Sequence, residues 1–438
     1  MINKWLFKHI DNSALVLFRI FFGILLTLEA WGALFTGWID RTLMAPQQTF
    51  NFIGFDFLQP LPGNGMYYYY FVMGIFGVMV TLGYKYRWSL SAFTVMWTCV
   101  YLMQKSSYNN HYYLLVLICL FMLLVPANAN LSLDAKNNEK IRSISTPRWV
   151  HLFIILQLLI VYTYASFAKF YPDWLDGTVA EILMRSKKDY WLVGNILQEK
   201  WTHVTIIYFG ILFDLLIVPL LLWKRTRTLM FIFAIFFHLF NSFVFRIGIF
   251  PYLSLAFCLF FFPTEIIHKR FKIRKEYYDK AEVLVPSRAG LMKAFFVAWF
   301  VIQISLPLRH WFIRGDVLHT EEGHRLSWRM MLRSKSGIST FKVVDKNTGE
   351  STIIKKSDYL SKKQLRTVSA KPDAIWQFAQ RLKKEYAAKG QDVSVFVDAK
   401  ISVNRGPYEQ LTDSSVDLGS AKWDYFFHNE WILLPEEQ

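Results

Sequence analysis

The chain is expected to fold as a polytopic α-helical membrane protein with about eight to nine transmembrane helices and a C-terminal extramembrane α+β domain. Three observations lead there. Hydrophobic residues make up 54% of the 438 residues and aromatics 18%, too apolar for a soluble protein of this length. Apolar runs of spanning length recur, with short connections between them, from Ser13 to Leu306. After Pro307 the composition changes abruptly and no further run is long enough to cross a bilayer. Residues 1–307 are therefore read as the membrane domain and 308–438 as an outer-side domain.

The candidate spans are Ser13 to Leu34, Tyr67 to Leu82, Trp88 to Met103, Tyr112 to Val125, Trp149 to Ala168, Val204 to Trp223, Leu229 to Phe245, Ile249 to Phe262 and Gly290 to Leu306. Their connections alternate in charge. Lys4 and Lys8, then Lys85 and Arg87, then Lys136, Lys140, Arg142 and Arg148, then Lys224, Arg225 and Arg227, and finally the run from Lys269 to Arg288 fall on alternate connections. The intervening short ones hold little beyond Arg41, Lys105 and Arg246, and the basic stretch from Lys169 to Lys200 is balanced by acidic residues. This positive-inside pattern predicts a cytoplasmic N-terminus and, with an odd number of spans, a C-terminal domain on the outer side. It also assigns the net charge of +16 to topology in a lipid bilayer, so no nucleic-acid partner is expected. The first run is too long for a secretory h-region and lacks a small-x-small cleavage site, so it is expected to remain as a signal anchor. Cys99, Cys119 and Cys258 lie inside predicted spans without metal-type spacing, which suits packing and gives neither a disulfide framework nor a metal site.

In the C-terminal part, alternation predicts strands over Leu326 to Arg333, Thr340 to Val344 and Ser351 to Ile354, the last two joined in a hairpin at Asn347 to Gly349. Ile375, Phe378, Leu382 and Tyr386 give Asp373 to Ala388 the spacing of a helix, and Val393 to Val403 alternates again as a strand before Gly406 and Pro407 break it.

Four groups of polar residues stand out against this apolar background. Lys169 ends the run WVHLFIILQLLIVYTYASF two residues before the aqueous-looking stretch that begins at Tyr171. A lysine there either snorkels to the interface or, partly stripped of water, serves as a neutral amine and a base. Lys105 to His111 packs a cation, two hydroxyls, a phenol, two amides and an imidazole into one short turn, either a solvated loop or part of a site. His238 and Asn241, three apart, share one helix face inside the membrane, for a site or for helix-to-helix hydrogen bonding. Arg19 lies well inside the first span, with Glu29 about three turns further on, and needs a partner; Asp214, midway along Val204 to Trp223, is the natural candidate for an intramembrane pair. No zinc-protease, nucleophile-elbow, Walker or dinucleotide motif occurs, while a haem held by His111, His151 or His238 is conceivable.

The stretches ALVLFRIFFG, QPLPGNGMYYYY, KSSYNNHYYL, AKFYPDWLDG, FFHLFNSFVFRIGIFPY and LSWRMM, in this order from about Ser13 to about Leu434, resemble the vitamin K-dependent γ-glutamyl carboxylase family, within the horizontally transferred transmembrane domain (HTTM) group. The resemblance implies carboxylation of peptidyl glutamate to γ-carboxyglutamate, coupled to epoxidation of a reduced naphthoquinone by O2. Deprotonated and oxygenated, the quinol becomes basic enough to take the γ-proton, and the carbanion captures CO2. It further implies that Lys169 deprotonates the quinol, that His111 stabilises the oxyanion formed on oxygenation, and that Asn110 lies beside it. His238 and Asn241 are similar to quinol-pocket residues, Met330 and Met331 to packing against quinone or prenyl tail, and Ser327 and Trp328 to the glutamate-contact strand. The animal enzymes carry an acidic residue where this chain has Arg329 and a histidine where it has Arg333, two added arginines that either bind a substrate carboxylate more strongly or signal a different acceptor altogether. The expected co-substrates are reduced vitamin K or menaquinol, O2 and CO2, with no metal. The expected partners are a glutamate-containing peptide or protein and a quinone reductase that supplies quinol. Compact length and the lack of a disulfide framework suggest a bacterial inner membrane, with the C-terminal domain periplasmic. Two other functions stay open: a quinol epoxidase that carboxylates no protein, and a transporter or ligand-binding membrane protein whose polar pathway includes Lys169 and His111.

Overall fold

In the computed structural model, which describes residues 2–435, a helix occupies each of the nine predicted runs, beginning with Ser13–Phe35 and ending with Ala289–Leu308. Among the described residues six helices are long and apolar enough to cross a membrane, or seven if the bent pair Phe250–Phe260 and Thr264–Arg270 is one span. The remaining two places are filled by Tyr86–Met103, diluted by Arg87, Ser89, Ser91, Thr94 and Thr98, and by Asn110–Leu124, only 15 residues long. The expected eight to nine thus exceeds what length and composition qualify. The bent pair turns through 117° at Pro263, whose missing N–H and fixed φ favour a break there.

Where water is absent, helices gain by close backbone approach. Ser13–Phe35 lies so near Gly65–Leu82 that a Cβ on Gly77 would sit 2.6 Å from the Thr27 hydroxyl, and one on Gly23 would sit 2.5 Å from the Thr81 backbone nitrogen.

The bundle has two unlike ends. At one, His9–Asp11 pairs antiparallel with Ser145–Pro147 and Lys8 bridges Val283, so three of the basic connections meet. Arg19 belongs to this end, and its expected partner is wrong. Its guanidinium donates to the carbonyls of Leu131 (2.6 Å), Asn130 (3.3 Å), Thr81 (3.3 Å) and Ala127 (3.4 Å), while Asp214 pairs with Lys169. The reason is local: the Thr81 carbonyl is in the last turn of its helix, where carbonyls lack intrahelical donors and a nearby cation satisfies them.

The other end carries the C-terminal part. Its four strands form an antiparallel sheet in the order Ser351–Ile353, Lys335–Asp345, Val393–Val403, Glu409–Gln410. Alternation along Val393–Val403 buries Val393, Val395, Val397, Ala399 and Ile401. Against that face pack Val368 of Lys362–Ala370 and Ala374, Ile375, Phe378 and Leu382 of Pro372–Ala388. The expected hairpin turn is present, with Asp345 Oδ1 accepting from the N–H groups of Asn347 and Thr348. The expected strand over Leu326 to Arg333 is not: Leu326, Trp328 and Met331 have φ of +60°, +55° and +53°, and left-handed residues at such intervals cannot hold a pleat.

A buried charge cluster joins the two parts. Asp373, at the start of Pro372–Ala388, takes Lys105 Nζ at 2.5 Å and Arg325 Nη1 at 2.5 Å on the same carboxylate oxygen, with Arg325 Nη2 at 3.4 Å from the other. Lys105 is only 3% exposed. Burial pulls its ammonium down to about 8, against the attraction of Asp373. Burial also works against ionisation of Asp373, but Arg325 and Lys105 together hold its carboxyl well below the usual range. Nearby, burial likewise opposes ionisation of Glu321, and Arg333 and Lys335 overcome it.

Removing one partner of a buried cluster leaves the others uncompensated, so Asp373→Ala is expected to destabilise the docked C-terminal part by about 3–5 kcal/mol. Thermal unfolding and limited proteolysis of the detergent-solubilised protein would read this. Because Asp373 and Glu321 have depressed folded pKa values, their contribution is complete above their unfolded values, roughly pH 4, and is lost as the pH falls further. Docking is therefore expected to loosen on acidification from about pH 4 downward, read as protease sensitivity against pH.

Candidate functional site

The turn from Lys105 to His111 is ordered by its own side chains. Asn109 caps Asn110–Leu124, accepting from the Tyr112 N–H at 2.8 Å. The Tyr108 hydroxyl donates to Asn110 Oδ1 at 2.7 Å and accepts from the Leu326 N–H at 2.7 Å, and Asn110 Nδ2 donates to the Arg329 carbonyl at 3.0 Å. These bonds clamp the crinkled 326–331 loop onto the turn. Three non-glycine residues in the left-handed region persist only where surroundings over-determine them, a pattern concentrated at binding sites.

Between turn and loop opens a cavity of about 980 Å³. Asn110, His111, Met330 and Met331 line it, so four predicted site residues from two distant stretches share one space. Phe250 backs His111 in a stacked arrangement, ring centroids 3.8 Å apart at 18°. His238 is one ring further away: its imidazole meets Phe250 edge-on at 6.2 Å, is 1% exposed, and bonds the Tyr162 hydroxyl through Nε2 at 3.1 Å. It stands behind the cavity wall and is not among the lining residues. Asn241 follows directly on the α-helix that ends at Phe240, opens a π-helical turn over Asn241–Phe245, and is not among the residues lining either cavity.

A second cavity of about 900 Å³ lies on the other side of the loop, against the end of Trp149–Phe167, and Ser327, His310, Ala168, Phe170 and Tyr171 line it. Ser327 directs its hydroxyl to the Gly323 carbonyl at 2.5 Å. Trp328, expected to meet substrate, is instead buried at 1% exposure and stacks on Tyr113 with centroids 5.0 Å apart, where it joins the membrane core to the loop. Lys169 lines neither cavity. It is 8% exposed, ion-paired with Asp214 and 5.7 Å from the centre of the Trp174 ring, while its neighbours on both sides face the second space. The Tyr171 hydroxyl donates to the Leu332 carbonyl, which ties the AKFYPDWLDG stretch to the same loop.

Tyr112 escaped the sequence reading, and Glu29, Arg41, Arg246, Arg329 and Arg333 were noted there without a place at this cavity. Glu29 and Tyr112 line the first cavity together with Arg41, Arg246, Arg329 and Arg333. Glu29 was visible as a carboxylate inside a span, a signal in itself. Tyr162 precedes Lys169 by seven residues, two helical turns, which puts the partner of His238 on the lysine's side of the helix.

Two family models match the chain. The HTTM domain matches residues 7–265, and the vitamin K-dependent gamma-carboxylase lumenal domain matches residues 288–438. No solved structure matches.

Behind that wall, His238 Nδ1 already lacks a partner among the described residues. Tyr162→Phe would leave Nε2 bare as well, and a stability loss of about 1–3 kcal/mol in thermal unfolding is expected. An unchanged melting temperature would show that the imidazole finds another partner.

Proposed function

The chain belongs to the HTTM membrane proteins and to the vitamin K-dependent γ-carboxylase family, and on that footing we propose that it converts peptidyl glutamate to γ-carboxyglutamate using a reduced naphthoquinone, O2 and CO2. The observation that carries the proposal is the convergence of Asn110, His111, Met330 and Met331 on one cavity. Its volume falls in the range of ligand sites, roughly 300–1,000 Å³, and Trp38, Tyr70, Trp97, Phe250, Met330 and Met331 give a fused-ring quinol an apolar surface beside a strongly polar part that holds Glu29 and four arginines. Oxygenated by O2, the bound quinol supplies a base stronger than any side chain.

The chain's own residues then have separable tasks. Asn110 commits its carbonyl and one amide hydrogen to Tyr108 and Arg329, leaving one amide hydrogen for a ligand oxygen. Among the described residues no side chain is bonded to the His111 ring nitrogens, and Phe250 fixes the ring plane, so the imidazole is preorganised to stabilise developing oxyanion charge. Lys169 is assigned the quinol proton by the resemblance, and because its neighbours Ala168 and Phe170 open onto the second cavity, this role requires the quinol hydroxyl to reach past the 326–331 loop. The Lys169 and Asp214 pair is neutral overall whether its shared proton sits on nitrogen or oxygen, and with the proton on Asp214 the amine is a base. Met330 and Met331 pack on the ring or tail, and His238 supports the wall. Ser327 faces the glutamyl side. In this reading the end where basic connections gather is cytoplasmic, by the positive-inside bias. The C-terminal part then faces the periplasm of a bacterial inner membrane, and a quinone reductase in that membrane supplies menaquinol.

The test incubates detergent-purified protein with reduced vitamin K, O2, labelled bicarbonate and a glutamate peptide. Epoxide with acid-stable label is expected; epoxide alone would establish a quinol oxygenase instead, and neither product would return the transporter reading. Lys169→Gln, which keeps a hydrogen-bond donor beside Asp214, is expected to lower both products by at least about 10²-fold without loss of fold. His111→Ala should lower epoxide formation more than it weakens glutamate-peptide binding; equal losses would make His111 structural.

A further inference from the structure

Three arginines stand on or beside the loop that separates the two cavities, and two of them are ion-paired within the protein, each sharing its carboxylate with a lysine. Arg325 is held by Asp373, and Arg333 by Glu321, through Nε at 2.9 Å and through Nη2. Arg329 is different. Among the described residues it forms no ion pair; its Nη1 approaches His310 Nε2 at 3.3 Å, and its buried Nε has no partner. Yet it lines both cavities, next to His111 and Met330 on one side and next to Ser327 and His310 on the other.

We propose that Arg329 is the carboxylate receptor of the acceptor site, binding the side-chain carboxylate of the glutamate at the junction of the two cavities. The proposal rests on the carboxylase reading above and adds the group that selects the acceptor. A guanidinium with unused donors in a planar fork matches a carboxylate in two parallel hydrogen bonds. Burial, and then the neighbouring Arg333, pull its pKa down to about 10, which still leaves it cationic at neutral pH. Its position suits the chemistry as well as the binding. When the γ C–H bond breaks, the proton passes to the oxygenated quinol base. The electron pair delocalises into the carboxylate until it forms the new C–C bond to CO2. The carboxylate oxygens therefore carry more charge in the transition state than in the bound substrate, and a guanidinium already aimed at them stabilises that state preferentially.

The test is direct binding, independent of turnover. A fluorescent peptide with a single glutamate is compared with its glutamine isostere on the full-length protein in detergent, for wild type, Arg329→Gln and Arg329→Lys. Wild type is expected to prefer glutamate by about tenfold or more, the preference disappearing in Arg329→Gln and returning only in part in Arg329→Lys, which keeps the charge and loses the fork. Should Arg329→Gln fail to fold, the lysine variant decides: a preference equal to wild type overturns the proposal. So does a wild type that does not discriminate, or an Arg329→Gln that still does. Discrimination lost in Arg329→Gln, with no labelled product from wild type, would leave the receptor standing and overturn the carboxylase reading. Labelled product without discrimination would do the reverse.

Discussion

The site depends on one buried carboxylate. Asp373 holds Lys105 from the membrane part and Arg325 from the loop between the cavities on the same oxygen, so the turn bearing Asn110 and His111 and the loop bearing Ser327 to Met331 are fixed relative to each other. Two cations so close are tolerable only with the carboxylate between them, and Asp373 is itself held by the first turn of Pro372–Ala388, packed on the sheet. The sheet thereby bears on how the turn and the loop that line the first cavity are held. Tyr108 and Asn110 then refine what Asp373 sets coarsely, since their bonds to Leu326 and Arg329 hold a loop whose backbone is otherwise unfavourable.

Charges inside the bundle follow a different rule from those at this junction. Arg19 is satisfied by backbone carbonyls near helix ends and needs no carboxylate, which leaves Asp214 free for Lys169. An isolated lysine beside lipid would turn to water. Paired with Asp214 on the neighbouring helix and covered by Trp174, it stays within the protein, at a helix end whose flanking residues open onto the second cavity. The base proposed for quinol deprotonation and the wall proposed for quinol binding thus come from opposite sides of the 326–331 loop.

The loop divides its labour residue by residue. Trp328 and Leu332 are buried anchors, Met330 and Met331 face the first cavity, Ser327 faces the second, and Arg329 faces both. A regular strand would alternate its side chains between two faces and could not send neighbours such as Met330 and Met331 to the same space. The left-handed residues are what permit it.

Composition and periodicity determined by themselves that this is a membrane bundle with an appended α+β part, because bilayer thickness and the burial of one sheet face impose lengths and alternations that can be read directly. The helix at Asp373 to Ala388, the hairpin at Asn347 to Gly349 and the strand Val393–Val403 were legible for the same reason. Lys169, Asn110 and His111 also stood out as polar groups in apolar surroundings, and the structure brings Asn110 and His111 to one cavity with Met330, which only the resemblance had named. Tertiary structure alone decided which charge meets which. Pairing of Asp214 depends on the depth and azimuth of helices whose order in the bundle no local pattern encodes. It also decided that Leu326 to Arg333 is a crinkled loop. Its alternation of apolar and polar residues is real, but three side-chain-to-backbone bonds from elsewhere in the chain outweigh the local preference for a strand. Arg329 shows the limit most clearly: its sequence marks it as a cation among three, and only the positions of Asp373 and Glu321 leave it as the one without a carboxylate partner among the described residues.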